Sequence, residues 1–361
     1  MPNRPLPHRP SETMKAVVWD GEGIQLADRD RPRVEAATDA VVRVTRSSIC
    51  TSDLHILHHA VPRTVPSTVL GHEFVGVVES VGASVERVKP GDRVAVNVET
   101  FCGECFFCKR GYVNNCERGG WELGCRIDGC QAEYVRVPFA DNGCTPIPDN
   151  VTDEDALFLG DILATGYFGA EIAEIEPGDT VAVIGAGPVG LCAMMCARLY
   201  GAAQVIALEV DAERRALAVE RGLADAAIDP ADATTDPEQA VRSLTEGRGA
   251  DAVIECAGAS GTFELAWRVA RPNAVVSVMA LYEEDQVLPL PRMYGKNLVF
   301  KTGGVDAHCL DRVMNLIAAG RLDTGILISK RFPLNEALEA YRAFEAHEDG
   351  CLKVVLTPYK E

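Results

Sequence analysis

No apolar run in this chain of 361 residues reaches the ~20 residues needed to cross a bilayer, so no membrane is expected as a partner. The N-terminus also lacks the apolar stretch of a secretion signal. Residues 1–13, MPNRPLPHRPSET, are rich in proline and read as a loose arm. Basic charge is scarce: 35 Lys and Arg stand against 53 Asp and Glu, a formal net charge of −18 that repels a phosphate backbone and makes nucleic acid an unexpected partner. A disulfide framework is missing too, because the thirteen cysteines are odd in number, lie in a long chain and partly follow metal-ligand spacing. Reduced thiols and a cytoplasmic location are expected. Repeats and low-complexity tracts are absent beyond the arm. What remains is 47% hydrophobic and 24% charged, which suits a soluble chain of two domains with ample core.

The densest chemistry is the run FCGECFFCKRGYVNNC, in which Cys102, Cys105, Cys108 and Cys116 are spaced C-x₂-C-x₂-C-x₇-C. Four thiolates fill a tetrahedral zinc and leave no position for water or substrate, so this lobe is expected to brace the backbone. Gly103 and Gly111 stand where it folds back, and Lys109 and Arg110 are expected to offset its negative charge. A second set is mixed: Cys50 in CTSDLH, His72 with Glu73 in LGHEFVG, and Asp161 in LGDILATG as candidate third ligand. Three protein ligands with a fourth position open is the pattern of a catalytic zinc. Taken singly, each of these residues would more often be packing; the joint pattern carries the reading.

Up to about residue 150 the apolar stretches are short and β-rich, as in MKAVVWD, AVVRVTR and EFVGVVESVG, with glycine and proline turns between them. From Thr180 buried strands alternate with helices: TVAVIG, a helix from about Val189 to Tyr200, QVIALE, a helix around Glu213 to Arg221, ADAVIECAG and AVVSVMA. That alternation predicts a parallel sheet with crossover helices. After roughly residue 305 two helical stretches lead to a last strand, CLKVVLTP, long enough to rejoin the first domain. The expected fold is therefore α/β, with a β-rich domain over 14–164 and 305–361 and a doubly wound dinucleotide-binding domain over 165–304.

VAVIGAGPVGL places Gly185, Gly187 and Gly190 between a buried strand and a helix that opens with Pro188 and Val189. The glycines permit a tight turn, close approach of the backbone to a pyrophosphate and close helix–strand packing. The next strand ends at Glu209, whose carboxylate is expected to accept the adenosine ribose hydroxyls and to repel a 2′-phosphate, which favours NAD over NADP. Arg214 and Arg215 could pair with such a phosphate but read as a solvated helix face. The remaining cysteines, Cys125, Cys130, Cys144, Cys192, Cys196, Cys256, Cys309 and Cys351, lack ligand spacing and read as small core fillers or inert thiols. His8, His58, His59, His308 and His347 read as surface residues.

CTSDLH, GHE, the four-cysteine lobe, GAGPVG and the acidic end of the second strand together resemble the zinc-dependent medium-chain alcohol dehydrogenases, in the same order over nearly the whole chain. Alcohol dehydrogenases of that type hold their catalytic zinc with a Cys₂His set; here Asp161 stands where the second cysteine would be, as in bacterial secondary-alcohol dehydrogenases, which DILATG also resembles. Those relatives often lack the lobe and often prefer NADP, so the chain mixes features. The resemblance implies a β-rich GroES-like catalytic domain, a Rossmann domain, two zinc ions and NAD per chain, and a homotetramer or homodimer. It implies that Ser52 accepts the alcohol proton and passes it through the nicotinamide ribose to His55, that Asp53 fixes the tautomer of His72, and that Glu73 enters the zinc shell when no substrate is bound. Thr165 is expected at the cofactor. The substrate is expected to be a secondary or medium-chain alcohol, or the corresponding ketone or aldehyde. Polyol, amino-alcohol or sugar-alcohol oxidation is the alternative. A zinc-ribbon binding module and a non-catalytic redox sensor are competing classes, opposed by the charge, the dinucleotide motif and the intact Cys50, Ser52, His55, His72 set.

Overall fold

The computed structural model describes residues 12–359, so most of the expected N-terminal arm lies outside the described residues. The β-rich part is built on a sheet whose strands run in the order Cys144–Pro146, Arg93–Val96, Phe74–Val81, Ala40–Ile49, Lys353–Thr357 and Ile328–Pro333, with Tyr134–Val137 also pairing Ala40–Ile49. The last strand of the chain thus lies antiparallel to an early one, with Val354 opposite Ile49 and Val355 opposite Ser48. The last strand is buried at all but its final residue, whereas Ala40–Ile49 is half-buried at Arg43, Thr45 and Arg46 and buried elsewhere. A separate three-stranded sheet joins Thr13–Trp19 to Ile24–Asp30 and Thr68–Val69.

The second sheet is parallel, in the order Ala226–Ile228, Gln204–Leu208, Thr180–Ile184, Ala250–Glu255, Ala270–Val278 and Val299–Thr302. The strand Thr180–Ile184 lies at its centre and feeds the helix Pro188–Tyr200, with Pro188 at its first turn, where a missing N–H costs nothing. Little room is left between this helix and the strand. A Cβ at Gly190 would stand 1.9 Å from the Gly185 carbonyl oxygen, so any other residue would push the helix off the strand.

One buried cluster runs from Val75 and Ala95 through Leu157 and Leu163 to Val183 and Leu191. It therefore belongs to both sheets. The two halves thus share core. The strand Val299–Thr302 forms an edge of the parallel sheet, and Val287, Leu288, Leu290 and Tyr294 just before it are exposed.

Candidate active site and cofactor cleft

Cys50 is the N-cap of a short helix, Thr51–Leu57, that starts as the strand Ala40–Ile49 ends. Its backbone N–H donates to Asp53 Oδ2 at 2.9 Å, so the same carboxylate that closes the helix start also fixes the cysteine. His72 precedes the strand Phe74–Val81. Asp161 lies in a single π-helical turn, Leu159–Leu163, immediately before the helix Ala164–Ile172. Such turns insert one residue into a helix and re-aim its side chains. A Cβ at Gly160 would meet the Val96 carbonyl oxygen at 1.9 Å, so glycine lets this turn press onto the β-sheet and delivers Asp161 to the other two residues.

The donor atoms of Cys50, His72 and Asp161 lie within 4.8 Å of one another. Asp161 Oδ2 is 3.3 Å from His72 Nε2 and 3.4 Å from Cys50 Sγ. Tetrahedral zinc with its usual bond lengths requires donor separations of about 3.3–3.6 Å, so the three residues fit a zinc ion with a fourth position free. The electrostatics agree. Burial disfavours charge on His72, but Asp53 and the hydrogen bonds to Asp161 and Cys50 override it and hold its pKa well above the usual range. A cluster that attracts a proton this strongly has a deficit of positive charge.

Behind the ring, His72 Nδ1 faces Asp53 Oδ1 at 3.4 Å, and both side chains are sealed from solvent. Gln131 Nε2 donates to Asp53 Oδ2 and to the Ser48 carbonyl, and Tyr341 O–H donates to Gln131 Oε1 at 2.7 Å. Asp53 is legible in the sequence; Gln131 and Tyr341 are not, since their only signal is their burial.

Glu73 points elsewhere than the zinc shell expected of it. Its Oε2 is 2.5 Å from Lys353 Nζ, and it is not one of the three clustered donors. Burial pushes the Glu73 carboxyl up while Lys353 pulls it back; Lys353, facing Cys50, Glu73 and Asp161, stays firmly protonated. The physical reason is that an ammonium buried beside the site, on the last strand, offers a direct counter-charge.

In the lobe, Cys102, Cys105, Cys108 and Cys116 also form a cluster of close donors, with sulfur separations of 3.4 Å for Cys105–Cys108 and 3.9 Å for Cys102–Cys108. A zinc tetrathiolate needs about 3.8 Å, and these four fit it. Backbone N–H groups of Cys108 and Glu117 hold the Cys105 thiol down to about 6. The neighbouring cation differs from expectation. Arg110 stacks on Phe106, its guanidinium carbon 3.6 Å from the ring centre, and it is Arg118 that hydrogen-bonds toward Cys102. The other eight cysteines are free thiols, seven of them buried.

A cleft of about 1290 Å³ runs from Cys50, His72 and Asp161 to the glycine turn and Glu209. Ser52, His55 and Thr165 line it, as do Gly185, Gly187, Pro188 and Val189. Ser52 Oγ is 3.8 Å from Cys50 Sγ, and His55 Nδ1 lies 3.3 Å from Glu283 Oε1 across the cleft. Thr165 spends its hydroxyl on the Asp161 carbonyl at 2.9 Å. At the far end, both Glu209 oxygens accept backbone N–H groups, from Ala186 at 2.6 Å and from Asp211 at 2.9 Å, which fixes the carboxylate at the cleft wall. Arg215 is turned to the Glu209 carbonyl and to Asp229, whereas Arg214 lines the cleft beside His347. The expected solvated face thus holds only in part. His58 is exposed and pairs with Glu345.

Residues 36–149 match the alcohol dehydrogenase GroES-like domain, and residues 188–318 match the zinc-binding dehydrogenase family. An alcohol dehydrogenase of Cupriavidus necator is 37% identical to this chain, covering 96% of it and 99% of its own length. The NADP-dependent isopropanol dehydrogenase of Thermoanaerobacter brockii is 34% identical over 81% of this chain and 85% of its own. The solved structure of alcohol dehydrogenase TADH from Thermus sp. ATN1 is similar with a TM-score of 0.88 and 39% identity, covering 95% of this chain and 99% of that one. No helix among the described residues is long and apolar enough to cross a membrane. With a GroES-like domain, a Rossmann-type sheet and relatives of this kind along nearly its full length, the chain belongs to the zinc-dependent medium-chain alcohol dehydrogenases, enzymes that oxidise alcohols with a nicotinamide cofactor.

Proposed function

We propose that the chain transfers hydride reversibly between a secondary or medium-chain alcohol and NAD, with one zinc at Cys50, His72 and Asp161 and a second in the cysteine lobe. The observation that carries this reading is the single cleft that joins three converging zinc-type donors to a glycine turn and an acidic strand end. A zinc held there supplies a Lewis acid that lowers the pKa of a hydroxyl, and the nicotinamide supplies the hydride acceptor.

The chain's own residues do the rest. Asp53 holds His72 with Nε2 turned to the metal position. Ser52, beside Cys50, takes the substrate hydroxyl proton, and His55, partly exposed and paired with Glu283, delivers it toward solvent. Buried Val98 and Ile162 line the cleft with these donors and help exclude bulk water. Glu209 selects NAD because its fixed carboxylate lies where a 2′-phosphate would suffer repulsion. Arg214 in the same cleft wall would soften that selection.

The exposed Val287, Leu288, Leu290 and Tyr294 beside an edge strand support a homodimer or homotetramer assembled through the parallel sheet. Thirteen cysteines without a disulfide among them suit a reducing compartment, the cytoplasm. The test is a panel of alcohols assayed with NAD and NADP at the nicotinamide absorbance. Turnover confined to NADP, or no turnover of any alcohol by zinc-loaded protein, refutes the reading.

A further inference from the structure

The substrate end of the cleft carries a carboxyl that alcohol oxidation does not require. Glu99 opens the two-residue strand Glu99–Thr100, directly opposite Trp121 in register. The Trp121 ring packs edge-on against the His72 ring at 5.4 Å between centres. Both Glu99 and Trp121 line the same cleft as Cys50, His72 and Asp161. Glu99 therefore stands one strand spacing from a side chain that touches a metal ligand.

Glu99 is 8% exposed, and its Oε2 is buried with no hydrogen-bond partner. Among the described residues its carboxyl makes no ion pair; Arg63, also in the cleft wall and stacked over Trp121, acts on it only at longer range. Buried polar groups in folded proteins are almost always paired; Oε2 is sealed inside the fold, so an occupant of the cleft that Glu99 lines would meet the carboxyl at its other oxygen, which also makes no hydrogen bond among the described residues. Burial pushes it up to about 8, so it stands mainly as a neutral acid near pH 7, able to donate one hydrogen bond and accept another. Arg63 disfavours an ammonium there, and an alkyl chain would leave the carboxyl unsatisfied.

We propose that Glu99 is a specificity-determining residue and that the substrate is an alcohol with a second, neutral hydroxyl, which hydrogen-bonds to the Glu99 carboxyl while the reacting hydroxyl lies at Cys50, His72 and Asp161. The inference rests on the dehydrogenase reading above. In the reaction the carbinol carbon loses hydride to NAD⁺ and its hydroxyl loses a proton, giving a hydroxy-ketone or hydroxy-aldehyde, NADH and H⁺. The second hydroxyl is unchanged.

The test compares butan-2-ol with butane-2,3-diol and butane-1,3-diol as substrates of the zinc-loaded enzyme with NAD, in the native chain, Glu99→Ala and the isosteric Glu99→Gln. A site built to pair a hydroxyl discriminates strongly against the analogue that lacks it. The native enzyme should favour at least one diol by about tenfold or more in kcat/KM, and Glu99→Ala should bring that ratio close to unity, mainly through KM of the diol. Glu99→Gln, which keeps a donor and an acceptor, should retain part of the preference. A structural role for Glu99 would lower all three substrates together and leave the ratio as it was, and that result overturns the proposal. So does a native enzyme that oxidises butan-2-ol as well as the diols. Native enzyme inactive on all three but active on other alcohols also overturns the diol assignment, whereas inactivity on every alcohol overturns the dehydrogenase reading itself.

Discussion

Lys353 Nζ stands 2.5 Å from Glu73 Oε2, with both side chains about 1% exposed or less. The same ammonium donates to the Ile49 carbonyl at 3.0 Å, one residue before Cys50. A lysine from the last strand thus ties together the chain beside two of the clustered donors: Cys50 follows Ile49, and His72 precedes Glu73. Its charge also balances a pocket that holds a thiol and two carboxylates. Removing it leaves Glu73 buried and uncompensated.

Lys353→Met should therefore destabilise the protein by about 3–5 kcal/mol, the cost of breaking a buried ion pair from one side. Glu73→Gln combined with Lys353→Met should recover much of the loss, because no charge is then stranded. Denaturant midpoints of the zinc-loaded variants measure both. Equal destabilisation in the single and double variants would show that the pair contributes through packing alone.

This pair marks the limit of what can be read from the sequence. The dinucleotide helix is legible to within a residue, Val189 against Pro188, because glycine spacing and a buried strand are local signals. The candidate set Cys50, His72 and Asp161 is legible because thiol, imidazole and carboxylate are rare together, and the structure brings their donor atoms together. Lys353 is not, since CLKVVLTP looks like any strand with one charged residue; only its pairing with Ala40–Ile49, about 300 positions earlier, buries the lysine against Glu73. Glu99 and Gln131 escape for the same reason: their meaning comes from long-range neighbours.

Zinc content should separate the two metal sites. The intact protein should carry about two zinc per chain. Cys50→Ala should lose one and abolish turnover, while Cys105→Ala should lose the other and mainly lower the melting temperature. Elemental analysis beside an activity assay decides this, and one zinc per chain that persists in Cys105→Ala would rule out a structural zinc in the lobe.

Glu209→Ala should weaken NAD by about ten- to a hundredfold, as expected for hydrogen bonds worth about 1.5–3 kcal/mol, and shift preference toward NADP. Arg214 remains in the cleft wall to meet the 2′-phosphate. The additional Arg214→Ala change should reverse part of that gain. Fluorescence titration with NADH and NADPH reads both effects; unchanged NADH affinity in Glu209→Ala would remove Glu209 from cofactor binding.

Glu99 should leave a signature in the pH dependence of stability. Its folded value is raised from 4.5 to about 8, so the folded state holds the proton more tightly than the unfolded chain. The resulting stabilisation is present below about pH 4.5 and is lost as the pH climbs to about 8, an effect on the order of a few kcal/mol. Melting curves across that window should therefore fall less steeply with rising pH in Glu99→Gln than in the native chain. Parallel curves would mean that the carboxyl is solvated or paired.

Asp161 carries the sharpest test of the catalytic set. It reaches His72 Nε2 and Cys50 Sγ at 3.3 and 3.4 Å from a π-turn whose position depends on Gly160. Burial pushes its carboxyl up, but the hydrogen bond and charge of His72, with Lys353 beyond, hold it below the ordinary value, so it stands as an anion. An anionic oxygen keeps the same formal charge as a thiolate, which leaves a site of one thiolate, one imidazole and one carboxylate neutral when it binds a dication. Asp161→Asn preserves the shape and removes the charge. It should weaken zinc at this site and lose turnover while the cysteine lobe stays loaded, and Asp161→Cys should be the better tolerated change. Zinc content and kcat measured on the same preparations decide between the outcomes. Full activity and full zinc content in Asp161→Asn would mean that another group completes the site.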